Sequence, residues 1–95
     1  MIRQEGDRLL LEGPVTISTV SALLAQSRAM LAPGVSVLDF NAVTDVDSAA
    51  VALVLECMRE AQLRKITLTL VNLPEALRNL AQLYAVSELL QASPA

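Results

Sequence analysis

The segment "SVLDFNAVTDVDSAAVALVLECMREA", residues 36–61, decides the fold because it contains a strand pattern, a polar stretch and a helix pattern in succession. Residues 35–40 are rich in Val, Leu and Phe and lie between turn signals, which predicts a buried strand. Residues 41–47, "NAVTDVD", are expected to form a loop. A helix is predicted over residues 48–63 because apolar side chains recur on one face at 100° per residue. That face consists of Val51, Val54, Leu55, Met58 and Ala61.

At the start of this helix, the hydroxyl of Ser48 follows the carboxylates of Asp45 and Asp47. Asp47 is well suited to the N-cap, because its carboxylate can accept hydrogen bonds from free amides of the first turn. Ser48 follows at the first helical position, where its hydroxyl is expected to be exposed. Asp39, at the end of the predicted strand, is expected to tie down the loop.

The helical wheel also predicts an outward side for this helix. It consists of Ser48, Ala49, Ala52, Glu56, Arg59 and Leu63. Small side chains in the first turn would allow another backbone or helix to approach closely. The alternative is an ordinary alanine-rich helix start, since alanine has the highest helix propensity.

Strand and turn signals also precede this segment. Residues 1–12 predict a β-hairpin that turns at Gly6-Asp7, and Gly13-Pro14 is expected to end its second strand. Residues 16–31 predict a helix that begins with Thr16 or Ser18 as its cap and ends before Pro33-Gly34.

The part of the chain after residue 63 continues the alternation of strand and helix. Residues 66–71 alternate β-branched residues with Leu and predict a strand. A helix follows, with Pro74 in its first turn. Its apolar stripe is Leu73, Leu77, Leu80 and Tyr84. "VSELL", residues 86–90, fits either a short edge strand or a last helical turn, and residues 91–95 are expected to fray.

The order of elements predicts a single α/β domain over residues 1–95, with the order β-β-α-β-α-β-α. Strands that alternate with helices favour a mixed, mostly parallel sheet packed against three or more helices. The first hairpin should supply an antiparallel edge.

Composition limits the function. The 95 residues are 54% hydrophobic and carry a net charge of −3, and the basic residues are scattered, which argues against a nucleic-acid partner. No apolar run approaches the roughly 20 residues of a membrane span, and we expect no signal peptide. Cys57, the only cysteine, excludes an internal disulfide and is expected to be a small buried side chain. A reducing, cytoplasmic setting is therefore expected.

The sequence argues against catalysis. Histidine is absent, and Lys65, the only candidate base for Ser48, should lie at the far end of a helix about 24 Å long. Asp39, Asp45 and Asp47 form the only acidic cluster, which leaves Mg²⁺ binding or phosphoryl transfer as an alternative. We predict no enzymatic activity, no metal and no cofactor.

Three stretches resemble the core signature of the STAS domain family, which includes anti-sigma factor antagonists. Asp39-Phe40-Asn41 resembles the strand end, Asp47-Ser48 the helix start, and residues 12–16, "EGPVT", the turn into the first helix. The order of elements agrees over essentially the whole chain. Ala50 stands where switch-type members of the family have glycine.

The stretch "LPEALRNLAQLYAVSELL", residues 73–90, is similar to MlaB-like STAS subunits of Mla-type phospholipid-transport ABC systems. This resemblance implies a non-enzymatic subunit that binds the cytoplasmic ATPase of such a transporter and lies at the inner membrane only through that partner. The residues expected to bind the partner are Ser48, Ala49, Ala52, Glu56 and Asp45.

The same family resemblance also implies an alternative function. In an anti-sigma factor antagonist, Ser48 would be phosphorylated by a serine kinase. Free amides at the helix start favour a phosphate at this position, whereas Asp45 and Asp47 repel it.

Overall fold

The computed structural model describes residues 1–83. Its elements are β1 (Ile2–Glu5), β2 (Arg8–Val15), α1 (Val20–Met30), β3 (Val37–Val46), α2 (Ser48–Leu63), β4 (Thr69–Val71) and α3 (Glu75–Leu83). This order confirms the predicted β-β-α-β-α-β-α arrangement. The predictions for Tyr84, for residues 86–90 and for residues 91–95 lie outside the described residues.

The four strands form one mixed sheet in the order β1-β2-β3-β4. The hairpin of β1 and β2 is antiparallel and turns at Gly6, whose φ of 62° lies in the left-handed region that glycine adopts most readily. β2 and β3 are parallel, and so are β3 and β4. The expected mostly parallel sheet with an antiparallel edge is therefore confirmed.

The core lies between the sheet and the three helices. Alternate strand residues are buried, among them Leu9 and Leu11 of β2 and Leu38 and Phe40 of β3, as the two-residue period of a strand requires. α2 contacts both α1 and α3, so its buried side is wider than the predicted face. The buried residues of α2 are Ala49, Ala50, Val51, Leu53, Val54, Cys57 and Ala61.

The prediction of a loop over residues 41–47 is wrong for residues 41–46, because β3 continues to Val46. Among the described residues, the outer half of β3, residues 41–46, pairs only with β2, through Ala42 opposite Glu12 and Val46 opposite Val15. β4 pairs only with the inner residues Val37–Asp39. Within residues 1–83, the outer half therefore has a strand on one side only, and it is mostly exposed, which explains its loop-like composition.

β2 also extends further than predicted, through Gly13-Pro14 to Val15. The pairing with β3 shifts register between Gly13 and Val15, and Gly13 has a φ of 82°. An irregularity of this kind accommodates proline, which cannot donate a hydrogen bond to a regular ladder. The expectation that these two residues end the strand is therefore wrong.

The first helix begins four residues later than predicted, at Val20, and its N-cap residue is Thr19 rather than Thr16 or Ser18. Residues 16–19 form a turn in which the Thr16 N–H donates to Thr19 Oγ1 over 2.9 Å. The same hydroxyl donates to the Pro14 carbonyl over 2.9 Å. These bonds connect the turn to the end of β2.

The last described strand is shorter than the predicted 66–71, since β4 covers only Thr69–Val71. Residues 65 and 66, which precede this strand, form the C-terminal ending of α2 instead. Lys65 has a φ of 59°, and the Ile66 N–H donates to the Ala61 carbonyl over 2.7 Å. This left-handed ending satisfies carbonyls of the last helical turn and takes residue 66 out of the strand.

Candidate functional site

The candidate site lies where β2 and β3 end and α2 begins. Asp47 Oδ1 accepts a hydrogen bond from the Ala49 N–H over 2.8 Å, which caps α2. Asp47 Oδ2 accepts from the Ile17 N–H over 2.9 Å. One carboxylate therefore joins the first turn of α2 to the connection between β2 and α1, and fixes the two segments relative to each other.

The first turn of α2 presents a small surface. Ser48 and Ala52 are exposed, one helical turn apart. Ala49 was expected on the outward side, but it is only 8% exposed. Its side chain turns inward beside Ala50, so the outward surface of this turn consists of Ser48 and Ala52.

Two further acidic residues of the predicted site are Asp45, two residues before the N-cap of α2, and Glu56, one helical turn after Ala52. Asp45 is exposed in the outer half of β3. Glu56 is half-buried and lies 3.4 Å from Arg28 of α1 and 3.5 Å from Arg59. Ion pairs between such surface side chains contribute at most about 1 kcal/mol each, so a partner can replace them at low cost.

Asp39 belongs to a separate cluster inside the sheet. It is 4% exposed, and its Oδ2 accepts from Arg8 Nη1 over 2.7 Å. Its Oδ1 accepts from the Asn41 N–H and from Asn72 Nδ2. Burial raises the pKa of Asp39, but the hydrogen bonds from Asn72, Asn41 and Arg8 together outweigh burial, so this pKa lies below its ordinary value. Asp39 therefore joins β2, β3 and the β4–α3 connection as a carboxylate.

Groups with potential chemical reactivity are dispersed. Within residues 1–83, no three Asp, Glu or Cys side chains are grouped closely enough to hold a metal ion. Cys57 is buried, and this burial raises the pKa of its thiol and disfavours the reactive thiolate. Lys65 lies just beyond the end of α2 opposite to Ser48.

The structure adds one residue that the sequence patterns did not indicate. Ile17 is 76% exposed, in the turn that Asp47 holds beside α2. The sequence patterns did not indicate the exposure of Ile17, because they predicted a helix over residues 16–31, and an isoleucine inside an amphipathic helix is expected to pack inward. The only signal in the sequence is an isoleucine between two hydroxyl residues, Thr16 and Ser18, three residues after Pro14 of the Gly-Pro pair.

The described fold is that of a STAS domain. Residues 2–91 match the family model described as "Mlab, STAS domain", and the chain therefore belongs to this MlaB-type STAS family. STAS domains are protein-interaction domains, and members of the family are generally non-enzymatic. No curated protein matches the chain significantly.

Solved structures support the same fold. The anti-sigma factor antagonist SpoIIAA in its unphosphorylated form is 22% identical, with a TM-score of 0.68 over 93% of this chain and 82% of that one. The protein Mglu is 24% identical, with a TM-score of 0.58 over 79% of this chain but only 19% of its own. At these identities the likeness shows the fold alone. Within the described residues, no helix combines the length and apolarity needed to cross a membrane.

Proposed function

We propose that residues 1–95 form a single STAS domain that acts as a non-enzymatic subunit of a phospholipid-transport ABC system. It binds the cytoplasmic ATPase of the transporter and supports its activity, so it is cytoplasmic and peripheral to the inner membrane through this partner. The observation that carries the proposal is the exposed Ser48 at the start of a helix that Asp47 holds in place. The MlaB-type family match supports the choice of partner.

The proposed contact surface consists of Ser48 and Ala52, with Asp45 and Glu56 at its edges and Ala49 beneath it. Ser48 and Ala52 are small, so a partner backbone or helix can approach α2 closely. The polar groups at the edge resemble the rim of a typical protein interface, where solvent remains accessible. Because Asp47 fixes the helix start, little ordering is needed on binding, which favours affinity.

A bulky substitution at the centre of this surface tests the proposal. We expect Ser48→Arg to abolish co-purification with the ATPase subunit while its circular dichroism spectrum stays that of the wild type. Gln62→Arg is the matched control, because it adds the same side chain to an exposed position near the other end of α2. Retained binding by a folded Ser48→Arg protein would exclude this surface as the contact.

The exposure of Ser48 also supports a second function, that of an anti-sigma factor antagonist. A kinase has access to the hydroxyl, and a phosphate there adds a charge of about −2 beside Asp45 and Asp47. This change would block docking by repulsion and bulk. Intact-mass measurement of the protein from its native cells distinguishes the two functions, because stoichiometric phosphorylation at Ser48 favours the antagonist.

A further inference from the structure

Ile17 is an exposed apolar side chain on a firmly held backbone. Its N–H donates to Asp47 Oδ2, and the adjacent Thr16 donates its N–H to the Thr19 hydroxyl. The Val20 N–H also donates to the Thr16 carbonyl over 2.8 Å. The turn is therefore fixed at both ends, although it presents 76% of an isoleucine to solvent.

Exposed aliphatic residues are common on protein surfaces, so exposure alone does not define a site. Ile17 differs in its position and in its rigidity. Asp47, which binds its backbone, directly precedes Ser48, so Ile17 extends the proposed docking surface from α2 onto the β2–α1 turn. Its β-branched side chain has few rotamers, and a fixed backbone leaves little conformational entropy to lose on binding.

The charged side chains beside Ser48 are acidic, whereas Arg28 and Arg59 lie at the Glu56 edge of the surface. Neither residues 14–27 nor residues 41–58 contain a lysine or arginine. Asp45 and Asp47 are the acidic residues beside Ser48, whereas Glu56 is paired with arginines. A partner that fits this end of the molecule therefore has an apolar pocket with basic side chains at its rim.

We propose that Ile17 is the apolar anchor of the docking surface. It inserts into an apolar pocket of the ATPase subunit, and basic side chains around that pocket face Asp45 and Asp47. This inference rests on the proposed function, since it names a further contact residue and the chemistry of the complementary site. Truncating a side chain that fills a well-packed, desolvated pocket near the centre of an interface has the largest effect on affinity.

A pair of matched substitutions tests the anchor. Ile17→Ser should weaken binding to the purified ATPase subunit roughly 10- to 100-fold, as expected when a buried aliphatic side chain is removed from an interface. Leu63→Ser is the control, because Leu63 is similarly apolar and 70% exposed but lies at the opposite end of α2. We expect its affinity to equal that of the wild type. Thermal unfolding should show that both variants fold.

The proposed basic rim of the partner's pocket is tested separately, by the salt dependence of binding. Asp45→Asn should weaken binding severalfold at low salt and should reduce the dependence of affinity on ionic strength. An unchanged salt dependence would overturn the basic rim.

The outcomes separate this inference from the proposed function. If Ser48→Arg abolishes binding but Ile17→Ser binds as the wild type does, the anchor is wrong and the proposed function stands. Equal losses with Ile17→Ser and Leu63→Ser would also overturn the anchor. If the wild-type protein does not bind the ATPase subunit, the proposed function and this inference are both overturned.

Discussion

Asp39 lies in β3, and Asp47 directly follows this strand. In both residues, the two carboxylate oxygens accept hydrogen bonds from different segments. Asp39 is buried and bonded to Arg8, Asn41 and Asn72. Asp47 is half-buried and bonded to two backbone N–H groups, those of Ile17 and Ala49. A carboxylate thus links segments at the centre of the sheet in the case of Asp39, and links segments at the candidate docking surface in the case of Asp47.

The two aspartates have the same chemistry, so their different roles follow from where each lies in the fold. β3 has a strand on both sides at Asp39, which lies opposite Leu10 and Val71. Of the strands described, only β2 lies beside the outer half of β3, which ends just before Asp47. A bond network at the first position supports the fold, and a network at the second sets the geometry of an exposed surface.

The largest effect on stability is expected from the buried member of the pair. Asp39→Ala should lower the free energy of unfolding by about 2 to 3 kcal/mol, because it leaves Arg8 and two amide donors without their acceptor. Urea unfolding at neutral pH measures this change. Asp45→Ala is the control and should stay within about 0.5 kcal/mol of the wild type, as expected for an exposed side chain. Equal losses in the two variants would contradict the structural role of Asp39.

A smaller loss of stability, with a loss of docking, is expected at Asp47. Asp47→Ala should cost about 1 to 2 kcal/mol, because it removes an N-cap and the bond to the Ile17 N–H. The variant should also bind the ATPase subunit at least tenfold more weakly at a temperature where it is fully folded. Wild-type affinity in the folded variant would show that this junction serves stability alone, as Asp39 does.

The smallest effect is a dependence on acid. The pKa of Asp39 is lower in the folded protein than in the unfolded chain. As the pH falls, the unfolded chain therefore binds a proton at Asp39 before the folded protein does, and the stability that Asp39 contributes is lost. This loss is present only below about pH 4, the ordinary range of an aspartate. Urea unfolding between pH 5 and pH 3 should therefore show a shallower decline in Asp39→Asn than in the wild type. An identical decline would contradict the lowered pKa.

Local patterns determined the number, kind and order of the elements. The helix over residues 48–63 was predicted with its observed bounds, since apolar periodicity and a capping aspartate are both local signals. The hairpin turn at Gly6 was likewise predicted by the two residues that form it. Ser48 was expected to be exposed at the first helical position, and it is.

Only the tertiary structure decided how far β2 and β3 extend and what lies beside Ser48. The outer half of β3 has polar residues that locally favour a loop, and it is a strand because β2 offers its hydrogen bonds. Ile17 reaches the start of α2 through a bond to Asp47, thirty residues along the chain. Ala49 is buried in a helix that contacts both α1 and α3. Contacts between distant segments leave no periodic signal in a single sequence, so they emerge only when the chain is folded.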